Sequence, residues 1–188
     1  MSYKRLLIWV EGEDDERFFN KIIKPKFEKK YDWVEVRPYY GGKIKNKKIR
    51  KKISNRIKNM RRIELSTSSI FDYILAVDFD FNSSRKIRNI KQSLEKLIKD
   101  IDKNRILVVI EEIESWYLAG LDSVVSKKFK IPNFRTTDTV TKEWFDDLIP
   151  VKFSPRRVFM LETLKYFSTR TARKKNGSFN YFITKYRV

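Results

Sequence analysis

The stretch Leu6-Leu7-Ile8-Trp9-Val10-Glu11-Gly12-Glu13-Asp14-Asp15-Glu16 decides the fold. Five consecutive apolar residues leave no polar face. A strand made of them is buried on both sides, as in a parallel sheet covered by helices. Carboxylates follow at once, and Gly12 lets backbone or a phosphate come close. From Asp14 to about Lys29 the pattern predicts a helix with Phe18, Phe19, Ile22 and Ile23 inward. The same order recurs downstream. Phe71 to Val77 predicts a buried strand that runs into Asp78-Phe79-Asp80, and Ile106 to Ile110 one that runs into Glu111-Glu112-Ile113-Glu114, with a helix starting near Ile113. Trp33 to Tyr39 predicts a further strand, with a turn at Gly41-Gly42. Ile87, Ile90, Leu94, Leu97, Ile98 and Ile101 form a helical stripe that Ser83 or Ser84 would cap. From about Leu121, Pro132, Pro150 and Pro155 break the chain into short pieces. Gly177-Ser178 then reads as a turn and cap before a short helix with Phe179, Phe182, Ile183 and Tyr186 inward. Strands alternating with helices predict an α/β domain over residues 1–120, a mostly parallel central sheet with helices on both faces. An irregular, mainly helical, basic extension over 121–188 is expected to pack on the same domain.

Composition narrows the chemistry. The chain has 188 residues, 41% of them hydrophobic and 36% charged, which suits a folded domain with a real core rather than disorder. It has no cysteine, which excludes disulfides, thiolate zinc sites and cysteine nucleophiles. It has no histidine, which excludes Ser-His-Asp triads and histidine general bases. Hydrolysis would therefore fall to carboxylates, most simply with a bound metal. The longest apolar runs are far short of the roughly 20 residues a membrane helix needs. Lys4-Arg5 and the run after it mimic a signal peptide, but the run is short and meets acids immediately. The expectation is a cytoplasmic protein with no membrane partner.

The net charge is +19, and it is localised. Val36–Ile63 holds twelve Lys/Arg and no acid, and Thr163–Val188 holds seven and no acid, which together equal the whole excess. In the first segment Lys43, Lys47, Lys48, Arg50, Lys51 and Lys52 lie around Ile49, Ile53, Ile57 and Met60, whose spacing is that of one helix face. This predicts a basic helix docked by a narrow apolar stripe, inserted at about residues 43–62. Its cations would grip phosphates without reading sequence, so nucleic acid is the expected partner. A merely solvated lysine face is the alternative. In the tail, Arg173 and Lys174 are the matching candidates.

Three strands end in acids, and the C-terminal ends of parallel strands share one edge, where ligands bind. So many like charges are costly together unless a cation neutralises them. Oxygen ligands select Mg²⁺ or Mn²⁺. Asp78 and Asp80, at i and i+2, face the same side of an extended segment. Asp14, Asp15 and Glu16 have an alternative role against the dipole of their own helix. Glu111 and Glu112 read as solvated, and Glu114 as the stronger candidate of its cluster.

Glu11-Gly12 with acids behind it, followed by Asp78-Phe79-Asp80 after a later strand, resembles the Toprim domain of topoisomerases, bacterial primases, OLD-family nucleases and small ribonucleases. The resemblance spans about the first 120 residues. Glu112-Ile113-Glu114-Ser115-Trp116-Tyr117-Leu118 is similar to the Glu-x-Trp-x-Leu stretch of small stand-alone Toprim-like proteins of unknown function. Ser178-Phe179 with Phe182 is similar to their C-terminal Ser-Phe-x-x-Phe piece. The resemblance implies a metal site of Glu11, Asp78, Asp80 and Glu114, and a separate ATPase as a partner in a defence system. A topoisomerase needs a tyrosine-bearing cleavage domain and a bacterial primase a zinc domain; the chain has no room for the first and no cysteine for the second. The expected function is Mg²⁺- or Mn²⁺-dependent hydrolysis of DNA or RNA phosphodiesters. Glu11 would assist proton transfer, and Lys91, Arg173 or Lys174 would supply a cation. The alternatives are a non-catalytic module that binds nucleic acid or the ATPase, and a phospho-receiver domain, which the +19 charge disfavours.

Overall fold

The structure is a computed structural model that describes residues 2–39, 44, 46–79 and 87–188. The predicted Gly41-Gly42 turn and the Ser83 or Ser84 cap lie outside the described residues. The chain divides into two compact units, residues 1–77 with 83–108, and residues 78–82 with 109–188.

Strands β1 (Lys4–Val10), β2 (Trp33–Pro38), β3 (Ile70–Phe79) and β4 (Ile106–Ile110) form an all-parallel sheet in the order β2-β1-β3-β4, the arrangement of a Rossmann-like α/β fold. β1 lies inside the sheet, pairing Leu7 with Glu35 and Trp9 with Arg37 on one side, and Leu7 with Tyr73 on the other. Its run Leu6–Val10 is buried throughout, as the absence of a polar face requires.

In the first unit, the predicted helix after β1 is broken in three: α1 (Glu13–Phe18), a π-helical turn (Phe19–Ile23) and α2 (Lys24–Phe27). The cause is Pro25, which has no N–H to continue the ladder, so the turn before it widens. Phe18, Phe19, Ile23 and Phe27 still reach the core. Helix α3 (Lys47–Ser66) opens on Asn46, whose Oδ1 accepts from the Lys48 N–H at 2.8 Å. Its predicted stripe of Ile49, Ile53, Ile57 and Met60 is buried.

Helix α4 (Ile87–Leu97) is shorter than its stripe. Leu94, Ile98 and Ile101 are buried, but Leu97 is 54% exposed. The helix has ended by Ile98, and Asp100 takes a positive φ of 69°, so helical spacing no longer decides which side chains point inward.

The second unit is helical: α5 (Ile113–Ala119), α6 (Ser123–Phe129), α7 (Lys142–Asp147), α8 (Arg156–Lys165), α9 (Thr169–Lys175) and α10 (Gly177–Tyr186). All seven residues of α5 are buried. Trp116 meets Phe179 edge-on at 5.0 Å and Phe182 at 5.7 Å, and its Nε1 donates to Ser178 Oγ at 2.8 Å. The Trp116 segment and the Ser178-Phe179-Phe182 segment are thus one packing unit. Asn176 joins it. Its Oδ1 accepts from the Phe179 N–H at 2.9 Å, and its Nδ2 donates to Ser115 Oγ at 3.3 Å and Thr137 Oγ1 at 3.2 Å. No helix among the described residues is long and apolar enough to cross a membrane.

Candidate functional site

The cations of α3 fall into two groups. Toward its C-terminus, Lys58 and Arg61 each approach Asp100 at 3.8 Å. Toward its N-terminus, Lys47, Lys48, Lys51, Lys52 and Arg56 are exposed, and among the described residues none has a carboxylate partner. Arg50 is half-buried and donates to the Ile44 carbonyl at 3.3 Å. Lys43 lies outside the described residues. The first turn of a helix carries partial positive charge and ordinarily favours acids. Here it holds Lys47 and Lys48 and no acid. That arrangement costs a few tenths of a kcal/mol per cation, up to about 1, and suits a surface that meets an anion.

Glu11 lies just past β1 in the same unit and is half-buried. The Tyr39 hydroxyl, just past β2, donates toward Glu11 Oε2 at 3.4 Å and lies the same distance from the Ala76 carbonyl. Tyr39 was legible as the end of a strand, but nothing local marked it as a partner of Glu11; the signal is its place one residue beyond β2 on a parallel edge. The acids after Glu11 serve their own helix. Asp15 accepts the Gly12 N–H at 3.2 Å, and Asp14 pairs with Arg17. Lys91 sits half-buried on α4.

In the second unit Asp78 is the penultimate residue of β3 and half-buried, and Asp80 lies outside the described residues. Glu111 is not solvated. It is 7% exposed, takes a positive φ of 58° and donates its N–H to the Phe79 carbonyl at 2.8 Å in an antiparallel bridge. Glu112 accepts the Lys142 N–H at 2.7 Å and so ties down the start of α7.

Glu114, 4% exposed, is bonded by the Arg156 guanidinium. The same guanidinium pairs with Asp146 and lies 5.2 Å from the centre of the Phe145 ring. Arg173 and Lys174 are exposed at the C-terminal turn of α9, where cations suit the dipole. Arg173 Nε donates to Asn180 Oδ1 at 3.0 Å. The neighbouring Lys175 is drawn inward, with Nζ donating to the Leu121 carbonyl at 2.5 Å, and burial pushes its pKa down.

The donor chemistry tests the implied cation. Glu11 and Asp78 are incompletely buried oxygen donors at strand ends, which fits Mg²⁺ or Mn²⁺. Glu114 does not fit, because a guanidinium already compensates its charge. Among the described residues no three carboxylates gather as a ready-made cation cage. Comparison of the chain with family models, curated proteins and solved structures finds no match.

Proposed function

We propose that this protein is a Toprim-like nuclease that grips nucleic acid through α3 and hydrolyses phosphodiesters with Mg²⁺ or Mn²⁺. The observation that carries this reading is that Lys47, Lys48, Lys51, Lys52 and Arg56 on the N-terminal half of α3 are exposed with no carboxylate partner among the described residues, in the same unit as the strand-end carboxylate Glu11. The carboxylates that the Toprim resemblance implies for the cation are Glu11, Asp78 and Asp80. When bound, it supplies the charge that acidifies a water and offsets charge building on the phosphate. The remaining work falls to the chain. Lys47, Lys48 and Lys51 hold the phosphate backbone. Tyr39 orients Glu11, whose carboxylate accepts the proton from the attacking water. Lys91, Arg173 or Lys174 would supply a further cation to the transition state.

The test is cleavage of mixed DNA and RNA with Mn²⁺, run beside binding in EDTA. Glu11→Gln and Asp78→Asn are each expected to abolish cleavage while binding is kept or improved, since each removes one negative charge with little change of shape. Wild-type protein that binds both polymers and cuts neither, with either metal, would return the chain to a second reading. That reading is a non-catalytic module that grips nucleic acid or a separate ATPase.

A further inference from the structure

A cavity of about 290 Å³ lies in the first unit, between the sheet and the N-terminal half of α3. It is a consequence of register. Leu7 and Trp9 share one face of β1, and Arg37 is paired beside Trp9 on β2, so all three turn toward the helix. On α3, residues 49, 52, 53 and 56 lie on one face at i, i+3, i+4 and i+7. The floor is apolar, from Leu7, Trp9, Ile49 and Ile53. The wall is cationic, from Arg37, Lys52 and Arg56.

Arg37 has a carboxylate beside it: its Nε donates to Glu35 Oε1 at 2.8 Å. Lys52 and Arg56 have none among the described residues. Tyr39 also lines the cavity, and it is the residue whose hydroxyl approaches Glu11. A purely structural role would call for carboxylates opposite Lys52 and Arg56, and among the described residues there are none.

We propose that this cavity is a nucleotide subsite: Lys52, Arg56 and Arg37 hold one phosphate, and the apolar floor takes the attached base. Three cations lining one opening, two of them without a carboxylate partner among the described residues, favour a doubly charged terminal phosphate over a singly charged internal one. Planar apolar contact beside them favours a nucleotide over inorganic phosphate. The shared chemistry is a nucleoside monophosphate, and two sources supply it: the free nucleotide, or the phosphorylated end of a strand. In the second case the subsite rests on the nucleic-acid reading above. It would then place a strand end beside Tyr39, the orienting partner of Glu11.

The experiment measures binding in EDTA of AMP, of inorganic phosphate, and of one oligonucleotide prepared with a 5′-phosphate, a 3′-phosphate or neither. AMP is expected to bind at least tenfold more tightly than inorganic phosphate. Lys52→Gln with Arg56→Gln is expected to weaken AMP at least tenfold, because each lost charge-assisted bond is large. Both substituted side chains are exposed, so the fold is retained; Lys96→Gln with Lys127→Gln, exposed cations of α4 and α6 that the cavity does not include, should leave AMP unchanged. Tighter binding of either phosphorylated oligonucleotide than of the unphosphorylated one assigns the subsite to a strand end, and equal binding assigns it to the free nucleotide. AMP binding that is absent, no tighter than phosphate, or indifferent to the Lys52/Arg56 change, together with no preference for a terminal phosphate, overturns the subsite. Failure to bind any oligonucleotide while AMP still binds would instead overturn the nucleic-acid reading and leave the subsite standing.

Discussion

Glu114 shows how a single carboxylate changes meaning once its neighbour is known. It follows an apolar strand, in a run of acids, and a metal ligand is a natural reading of that pattern. Its carboxylate is instead bonded to Arg156, a residue 42 positions away in the chain. Burying a carboxylate is costly, and a guanidinium with several donors lowers that cost as a cation would. The pair makes a sharp prediction. Arg156→Ala leaves the Glu114 charge buried and uncompensated, so unfolding in urea should show a loss of about 3–5 kcal/mol. Glu114→Leu combined with Arg156→Met should recover most of the loss, because a neutral pair of similar bulk is well tolerated. A single Arg156→Ala change that costs nothing would mean that Glu114 finds another partner and would reopen it as a ligand. Asp15 carries the same lesson in a smaller frame. It accepts the N–H of Gly12, three residues back, and ordinary helix capping accounts for it.

At the scale of elements, α3 carries most of the functional content. Its apolar stripe is narrow, and the rest of its circumference is charged. Two of its cations are spent on Asp100, which anchors the C-terminal half. Among the described residues the N-terminal half has no such carboxylate anchor, and its Lys47, Lys48 and Lys51 are exposed. If these three touch phosphates, Lys47→Gln, Lys48→Gln and Lys51→Gln together should flatten the plot of log affinity against log salt by up to about 3 units on duplex DNA. An unchanged slope would make them a solvated face. The Lys52 and Arg56 pair belongs to the cavity and should alter affinity for terminal phosphates more than the slope. The contrasting element is α5 with α10, joined by Trp116, Ser178 and Asn176. Its motif-like residues are buried and mutually bonded, so they hold the second unit together.

For the whole molecule the governing quantity is a net charge of +19 on 188 residues, concentrated in two segments. Like charges repel in the folded state, and salt screens them over a distance that shrinks from about 30 Å at 0.01 M to about 8 Å at 0.15 M. Thermal unfolding should therefore move up on going from the lower to the higher salt. A gain of about 1 kcal/mol corresponds to about 2–4 °C for a chain of this size. A fall in Tm over that range would mean that ion pairs such as Arg156 with Glu114 outweigh the repulsion. Much of this protein is determined by sequence alone, because its signals are local. Runs such as Leu6–Val10 and Ile106–Ile110 have no polar face and can only be buried strands, the Ile49, Ile53, Ile57 and Met60 spacing admits only one buried helix face, and the segregation of charge is arithmetic. Tertiary structure decided what depends on partners distant in the chain. Pro25 splits a helix that periodicity alone draws as continuous, and Glu111 is buried by a bridge to Phe79. Arg156 claims Glu114, and Tyr39 meets Glu11 across 28 positions. The cavity under α3 exists only because strand register and helix phase bring Trp9, Arg37, Lys52 and Arg56 to one place. Periodicity tells which side of an element is buried; it carries no information about which charge from another element will be waiting there.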